Sequence, residues 1–393
     1  MPQSARSSRN IYAFGFTSLL NDTASEMAYW VLPAFLVSIG AGPAQLGIIE
    51  GIAESVASFA KLFSGYLADR LPRRKPVVVA GYVVANAVKP VLAVATSWWH
   101  VLVIRFADRL SKGIRGTPRD VMAAESTDKS QMGSTFGFIQ AMDSAGAILG
   151  PLIALWLLPR YGMRDVFWVA AVPGALCIAV AALGIKENIA SRTTPSEWSA
   201  SSGVRLIQLP SSFYFVLFAV TLFSVGNSSD MFLVLRAEGA GISPGYAPLL
   251  GLVFNVTYTL LSWPAGWLSD RISRRWTAAA GYLVFAVVYF VFAAAPSRPA
   301  IWMTMAFYGL FYALTAPVLK ALIAERVTPE IRGRALGLYN FTTSVAIVLA
   351  SVITGELWKS YGPRVPFRLS AGIALVSALL LVSPWTRVDS ARA

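Results

Sequence analysis

Residues 65–84 read GYLADRLPRRKPVVVAGYVV, and 201 positions later residues 266–285 read GWLSDRISRRWTAAAGYLVF, keeping a Gly, a Leu, an Asp-Arg step and a pair of arginines in register. Two further matches follow at nearly the same offset. Ala124-Glu125 with Gly133 and Gly137 returns as Ala324-Glu325 with Gly333 and Gly337, and Ser25-Glu26-Met27 returns as Ser229-Asp230-Met231. Repetition at one long period divides the chain into two related halves.

The material of each half is lipid-compatible. The chain is 56% hydrophobic and 13% charged, against about 25% charged for a soluble domain, and its mean hydropathy is +0.59. A bilayer core about 30 Å thick is crossed by roughly 20 apolar residues. Such segments fall at approximately 11–37, 46–68, 76–96, 100–123, 132–158 and 165–186, and again at 211–235, 244–269, 277–295, 300–324, 332–358 and 364–386. The expected fold is an all-α membrane protein of twelve transmembrane helices in two pseudo-symmetric six-helix bundles, 1–186 and 211–393. A polar, Ser/Thr-rich linker, 187–210, joins them. The first segment lacks a short apolar region with a small-residue cleavage site, so it reads as a retained helix and not a signal peptide.

Charge sets the orientation. About 18 Lys and Arg lie in loops on the side of the N-terminus and about 6 on the other, which by the positive-inside rule makes both termini cytoplasmic, in an inner (cytoplasmic) membrane. The same bias accounts for most of the net charge of +13. The basic loops therefore read as topological anchors and not as a nucleic-acid surface. A single Cys177 and a single His100 exclude a disulfide framework and a Cys/His metal site. Neither a Gly-rich phosphate loop nor a Ser-centred elbow is present, which argues against an ATP-driven pump and against an enzyme. No cofactor and no metal are expected.

Gly65, Leu67, Asp69, Arg70, Arg73 and Arg74, and again Gly266, Leu268, Asp270, Arg271, Arg274 and Arg275, resemble the loop 2–3 signature of the major facilitator superfamily, with Pro72 and Ser273 in place of its mid-motif glycine. The resemblance covers essentially the whole chain. It implies a monomeric secondary transporter whose halves rock about a central site. Gly65 and Gly266 would let a facing helix approach closely. Asp69 and Asp270, beside Arg70, Arg73, Arg74 and Arg271, would form charge-assisted hydrogen bonds that latch one conformation.

The fourth segment carries the chemistry. In VIRFADRLSKGIRGTPRD (103–120), Arg105, Asp108, Arg109, Lys112, Arg115, Arg119 and Asp120 fall on one helical face, opposite Val103, Phe106, Leu110, Ile114 and Thr117. Charge at the bilayer centre costs at least about 2.5–3.5 kcal/mol per residue on insertion scales, so this face must meet water or counter-charge. Asp22 and Glu26, one helical turn apart on the first segment, are the expected partners. Gln140 and Asp143 share a face of the fifth segment. Arg109 with Gly113 resembles the fourth-helix pattern of antiporter branches, and Gly137, Gly146 and Gly150-Pro151 resemble the fifth-helix signature of drug/proton antiporters, which points to export.

The repeat of the fourth segment, FYGLFYALTAPVLK (307–320), has a charge only at its end. The second half offers Asn227, Asp230, Asn255, Tyr258 and Asn340, polar groups suited to a selective pocket. Burial favours a neutral carboxyl and a nearby arginine an ionised one, so Asp22, Glu26 and Asp108 with Arg109 are the expected proton-coupling group. Arg105, Lys112, Arg115, Gln140, Asp143 and the second-half residues are the expected substrate contacts. The expected partners are a small-molecule substrate, protons and the lipid bilayer. The reading is proton-coupled export of an anionic or zwitterionic solute. Export of cationic drugs or metal ions, and import of an organic anion, are the alternatives.

Overall fold

The computed structural model describes residues 3–41, 43–187, 209–242, 247–294 and 297–384, and every regular element among them is helical. The first half contains α1 (Gln3–Ser38), α2 (Pro43–Arg70), α3 (Lys75–Val91), α4 (Trp98–Glu125), α5 (Met132–Tyr161), α6 (Met163–Val169) and α7 (Ala171–Gly184). The second contains α8 (Ser211–Gly226), α9 (Met231–Gly239), α10 (Ala247–Arg271), α11 (Arg274–Ala293), α12 (Arg298–Glu325), α13 (Arg332–Tyr361) and α14 (Arg364–Val382). The expected linker, 187–210, lies at 188–208 outside the described residues.

The repeat is visible in the boundaries. Helices α4 and α12 are both 28 residues long, and α5 and α13 both 30, with each pair displaced by 200 positions. Gly162 and Gly362, at φ +84° and +77°, end α5 and α13 in the same way, because glycine alone takes a left-handed residue past a helix end without strain. Eight helical stretches among the described residues are long and apolar enough to cross a membrane. Among the rest, α4 carries the ionic face, and α8 is short because the segment expected at 211–235 is broken. The break falls at Asn227–Asp230, where Asn, Ser, Ser and Asp side chains compete for backbone hydrogen bonds and favour a turn over a continuous helix. The segment expected at 165–186 is likewise interrupted at Ala170, and the first helix starts earlier than expected, at Gln3.

Within the first half α1 packs on α5, and α4 on α2 and α3. Within the second, α12 packs on α10 and α11, and α14 on α8 and α11. The halves meet chiefly through α5 against α10 and α2 against α13, with α12 also against α5 and α4, and α13 against α4. The outside is apolar: Phe59, Phe63, Leu155, Phe218, Leu260 and Leu379 are exposed, while Arg105, Asp108, Arg115 and Asp120 are buried. This inversion suits a lipid surround with polar groups satisfied inside.

Candidate functional site

At the end that carries loops 71–74 and 272–273, each half caps a helix of the other. Asp69, in the last turn of α2, accepts from the backbone N–H of Gly333 (2.7 Å) and Arg334 (2.9 Å) at the start of α13, and from Arg334 Nε (3.0 Å). Asp270, in the last turn of α10, accepts from the N–H of Gly133 and Ser134 (both 2.8 Å) at the start of α5, and from the Ser134 hydroxyl (2.7 Å). First-turn N–H groups lack helical partners and sit at the positive end of the helix dipole, so a carboxylate is their natural cap. Glycines permit the approach. A Cβ at Gly65 would stand 2.5 Å from the Gly333 carbonyl oxygen, and one at Gly266 would collide with the Gly133 carbonyl.

The arginines behind the caps correct the sequence register. Arg74 holds both oxygens of Glu125 (2.6 and 2.7 Å) and the Ala68 carbonyl (2.5 Å). Its counterpart is Arg274, not Arg275: Arg274 pairs with Glu325 and with Asp270 (2.6 Å). The offset falls from 201 at Gly65/Gly266 to 200 at Glu125/Glu325 because the second copy has one residue fewer between Arg271 and Arg274 than the first has between Arg70 and Arg74. Arg70 lies over Tyr66 (3.9 Å to the centroid), Arg271 over Trp267 (3.5 Å), and Arg73 is exposed. One turn deeper, Asp120 on α4 receives Arg119 (2.9 Å) and, across the interface, Lys320 on α12 (3.2 Å). Positions 120 and 320 are equivalent in the repeat and bear opposite charges.

The ionic face of α4 looks into a cavity bordered by Glu26, Tyr29 and Lys89. The guanidinium of Arg105 grips Glu50 of α2 at 2.7–3.0 Å and lies 3.7 Å from Asp108. Arg115 stacks on Tyr82 (4.5 Å), in a crossing so close that a Cβ at Gly81 would be 2.6 Å from the Arg115 Cβ. Lys89 donates to Asn86 Oδ1 (2.8 Å). Lys112 is exposed and has neither a hydrogen bond nor an ion pair among the described residues. Arg109 borders the same cavity.

Asp22 and Glu26, the expected partners of this face, stand within charge reach of it, Asp22 of Lys112 and Arg115 and Glu26 of Lys112 and Arg109. Neither forms an ion pair among the described residues. Asp22 accepts from Asn21 (2.9 Å) and comes within hydrogen-bonding reach of Asp143, which itself accepts from Gln140 (3.2 Å). The reason is packing. A Cβ at Gly146 of α5 would lie 2.5 Å from the Leu19 carbonyl oxygen, and one at Gly150 would lie 2.7 Å from the Glu26 Cβ, so α1 is seated directly on α5. Lys112 remains within charge reach of both Asp22 and Glu26.

In the second half, Asp230 stands exposed at the break between α8 and α9, and the buried Tyr308 hydroxyl donates to its Oδ1 (2.6 Å). Tyr312 reaches the same carboxyl. Phe254, Tyr258 and Tyr312 have ring centroids 5.2–5.6 Å apart. Asn227 is buried beside them, and its Oδ1 has no partner. Asn255 is bound to its own helix through Gly251 (2.9 Å), and Asn340 is half-buried on α13.

A family model for the Major Facilitator Superfamily matches residues 14–236 and 214–392. The chain belongs to the Major Facilitator Superfamily. It is 33% identical over 386 residues to an MFS-type transporter of Methanocaldococcus jannaschii, MJ1317, covering 95% of this chain and 94% of that one. It is 24% identical to the multidrug resistance protein MdtG of Escherichia coli, over 94% and 93% of the two chains. In fold it is similar to the human organic anion transporter MFSD10 (TM-score 0.78, 15% identity, 95% and 99% covered). It is also similar to the E. coli fucose:proton symporter FucP (0.76, 15%, 95% and 98%). The protein is thus a multi-pass membrane transporter and not an enzyme.

In this superfamily member several groups at the centre were missed from sequence. Glu50 and Lys89 were visible as lone charges in apolar runs, a recognised mark of intramembrane function. Tyr308 and Tyr312, one turn apart in FYGLFYALT, carried the signal that they share a face, but nothing linked that face to Asp230.

Proposed function

We propose that this superfamily member exports a small anionic or zwitterionic organic solute by proton-coupled alternating access. It works as a monomer of two six-helix bundles, 1–186 and 211–393, joined by a linker at 187–210, in an inner membrane with both termini cytoplasmic. The observation that carries this reading is Lys112. An exposed ammonium midway along this helix, without hydrogen bond or ion pair among the described residues and with the Asp22 and Glu26 charges only within reach, is open to water and to an anionic ligand.

In this reading the latched loop end is the cytoplasmic gate, and the described conformation is shut on that side. Solute meets Lys112 and Arg115, and the Asp22 and Asp143 carboxyls, with Glu26 and Asp108 beside Arg109, load and release the proton as the halves rock. The multidrug relative supports an outward direction. A metal cargo is disfavoured, because hard divalent ions take several oxygen ligands and these carboxylates stand among lysines and arginines.

The test is a thermal-shift screen of small carboxylates and zwitterions, followed by flux in proteoliposomes with an imposed pH gradient. An anionic compound should stabilise the wild type, lose its effect in Lys112→Ala, and move against protons. Losing one charge-assisted contact should weaken binding by about 1.5–3 kcal/mol, roughly 10- to 150-fold. Equal stabilisation of wild type and Lys112→Ala by every anion would refute the reading.

A further inference from the structure

We propose that the aromatic wall of the second half seats an organic ammonium group, so that the transported solute is a zwitterion whose anionic end meets Lys112 and whose cationic end meets Asp230. This narrows the reading above and rests on it for the anionic end.

Asp230 is an exposed carboxyl in the break of a membrane-embedded segment, and it forms no ion pair among the described residues. Such a carboxylate calls for a cation. The Tyr308 hydroxyl holds one of its oxygens at 2.6 Å and fixes its direction. Around it stand ring faces and an amide oxygen that attract positive or hydrogen-donating ligands. Phe254 and Tyr312 are half-buried, nearly perpendicular at 69°, with centroids 5.2 Å apart. Ring faces so disposed attract an ammonium through their quadrupoles. Asn227 is only 8% exposed and presents an unsatisfied carbonyl oxygen, an acceptor alone.

The repeat sharpens the point. Tyr308 and Tyr312 occupy the positions equivalent to Asp108 and Lys112. Where the first half places its own ammonium within charge reach of the α1 carboxylates, the second half places an aromatic ring beside Asp230. The cation is therefore supplied from outside. Tyr258, 5.5 Å from Tyr312, lies within charge reach of Asp143, and Asp143 within charge reach of Lys112. A bare metal ion would need more oxygens than one carboxylate provides, and a proton alone would gain nothing from the rings.

Three probes separate the contributions: betaine, its uncharged-headed isostere 3,3-dimethylbutyrate, and tetramethylammonium, each measured by saturation-transfer NMR and calorimetry on the purified full-length protein. Asp230→Asn should weaken betaine and tetramethylammonium about ten-fold or more and leave 3,3-dimethylbutyrate unchanged. Lys112→Ala should weaken betaine and 3,3-dimethylbutyrate and spare tetramethylammonium. Phe254→Leu, which keeps the volume apolar, should repeat the Asp230→Asn pattern more mildly if that variant fails to fold. Equal affinity of betaine and 3,3-dimethylbutyrate overturns the ammonium seat while leaving the anion reading intact, and so does the absence of any betaine or tetramethylammonium signal at millimolar concentration. Tetramethylammonium binding without any response to 3,3-dimethylbutyrate overturns the anion reading instead.

Discussion

Replacing Asp69 by Asn tests the latch directly. The Asp69 carboxylate accepts two backbone N–H bonds from the start of α13 and one from the Arg334 guanidinium. Asn keeps the shape but offers one acceptor oxygen, and its NH2 group must face donors, so one to two charge-assisted bonds are lost. At about 1.5–3 kcal/mol each, and allowing for water reaching the rim, the closed state should lose roughly 2–4 kcal/mol relative to the state with this end open. That is roughly a 30- to 1,000-fold change in the ratio of the two states. Asp270→Asn should behave alike, since Asp270 caps α5 in the same manner and also binds Arg274. The assay is a pair of spin labels at Gln131 and Thr328, both exposed and carried by loops of opposite halves at this end. Pulsed dipolar measurements in nanodiscs should show a short distance in the wild type and a longer, broader population in each variant. An unchanged distance distribution in both variants would refute the idea that these caps hold the halves together.

Three further outcomes follow from the same geometry. Lys320→Ala and Asp120→Asn should each shift the label pair toward the long distance, and the double variant should do little more than the larger single, because both remove one contact of 3.2 Å; additive effects would assign the residues separate roles. Gly146→Val should lower the melting temperature by several degrees and abolish transport, since even a Cβ there meets the Leu19 carbonyl oxygen at 2.5 Å; a stable, active variant would show that α1 does not depend on this seat. Asp22→Asn and Glu26→Gln should both fold, and one of them should retain counterflow while losing gradient-driven flux; wild-type pH dependence in both would remove these carboxyls from the proton path.

The sequence spoke clearly where composition and repetition decide the matter. Apolar runs of bilayer length, and loop signatures repeated at one offset, carry the helices and the latch because each is local or duplicated. It was silent wherever the decisive fact is a rotation or a register between helices. Arg105 was visible as an intramembrane charge, but its grip on Glu50 depends on how α2 lies along α4. Asp22 and Glu26 were visible as an i, i+4 pair, yet the small faces of Gly146 and Gly150 turn α1 toward α5 and bring Asp22 to Asp143. The slip at Arg74 and Arg274 has a plainer origin: one missing loop residue, which matching runs on either side conceal. The break at Asn227–Asp230 was written in residues that oppose a helix, but the apolar runs flanking them read as continuous.

The two halves share a backbone and divide the chemistry. Gly81 and Gly281 make the same close crossing, one against Arg115 and the other against Thr315 at the equivalent position. The scaffold therefore tolerates a cation or a hydroxyl at that point without altering how the helices meet. At the loop end both halves keep a Gly, an Asp cap, an Arg behind it and a Glu to hold the Arg, whereas positions 120 and 320 depart from the symmetry and pair by bearing opposite charges. In the rocking motion proposed above, a gate at this end must resist rotation on both sides of the axis, a demand that duplicated parts meet. A binding site on the axis faces no such demand. A zwitterionic solute of the kind proposed is better held by two unlike walls, and Tyr308 and Tyr312 stand where the first half has Asp108 and Lys112.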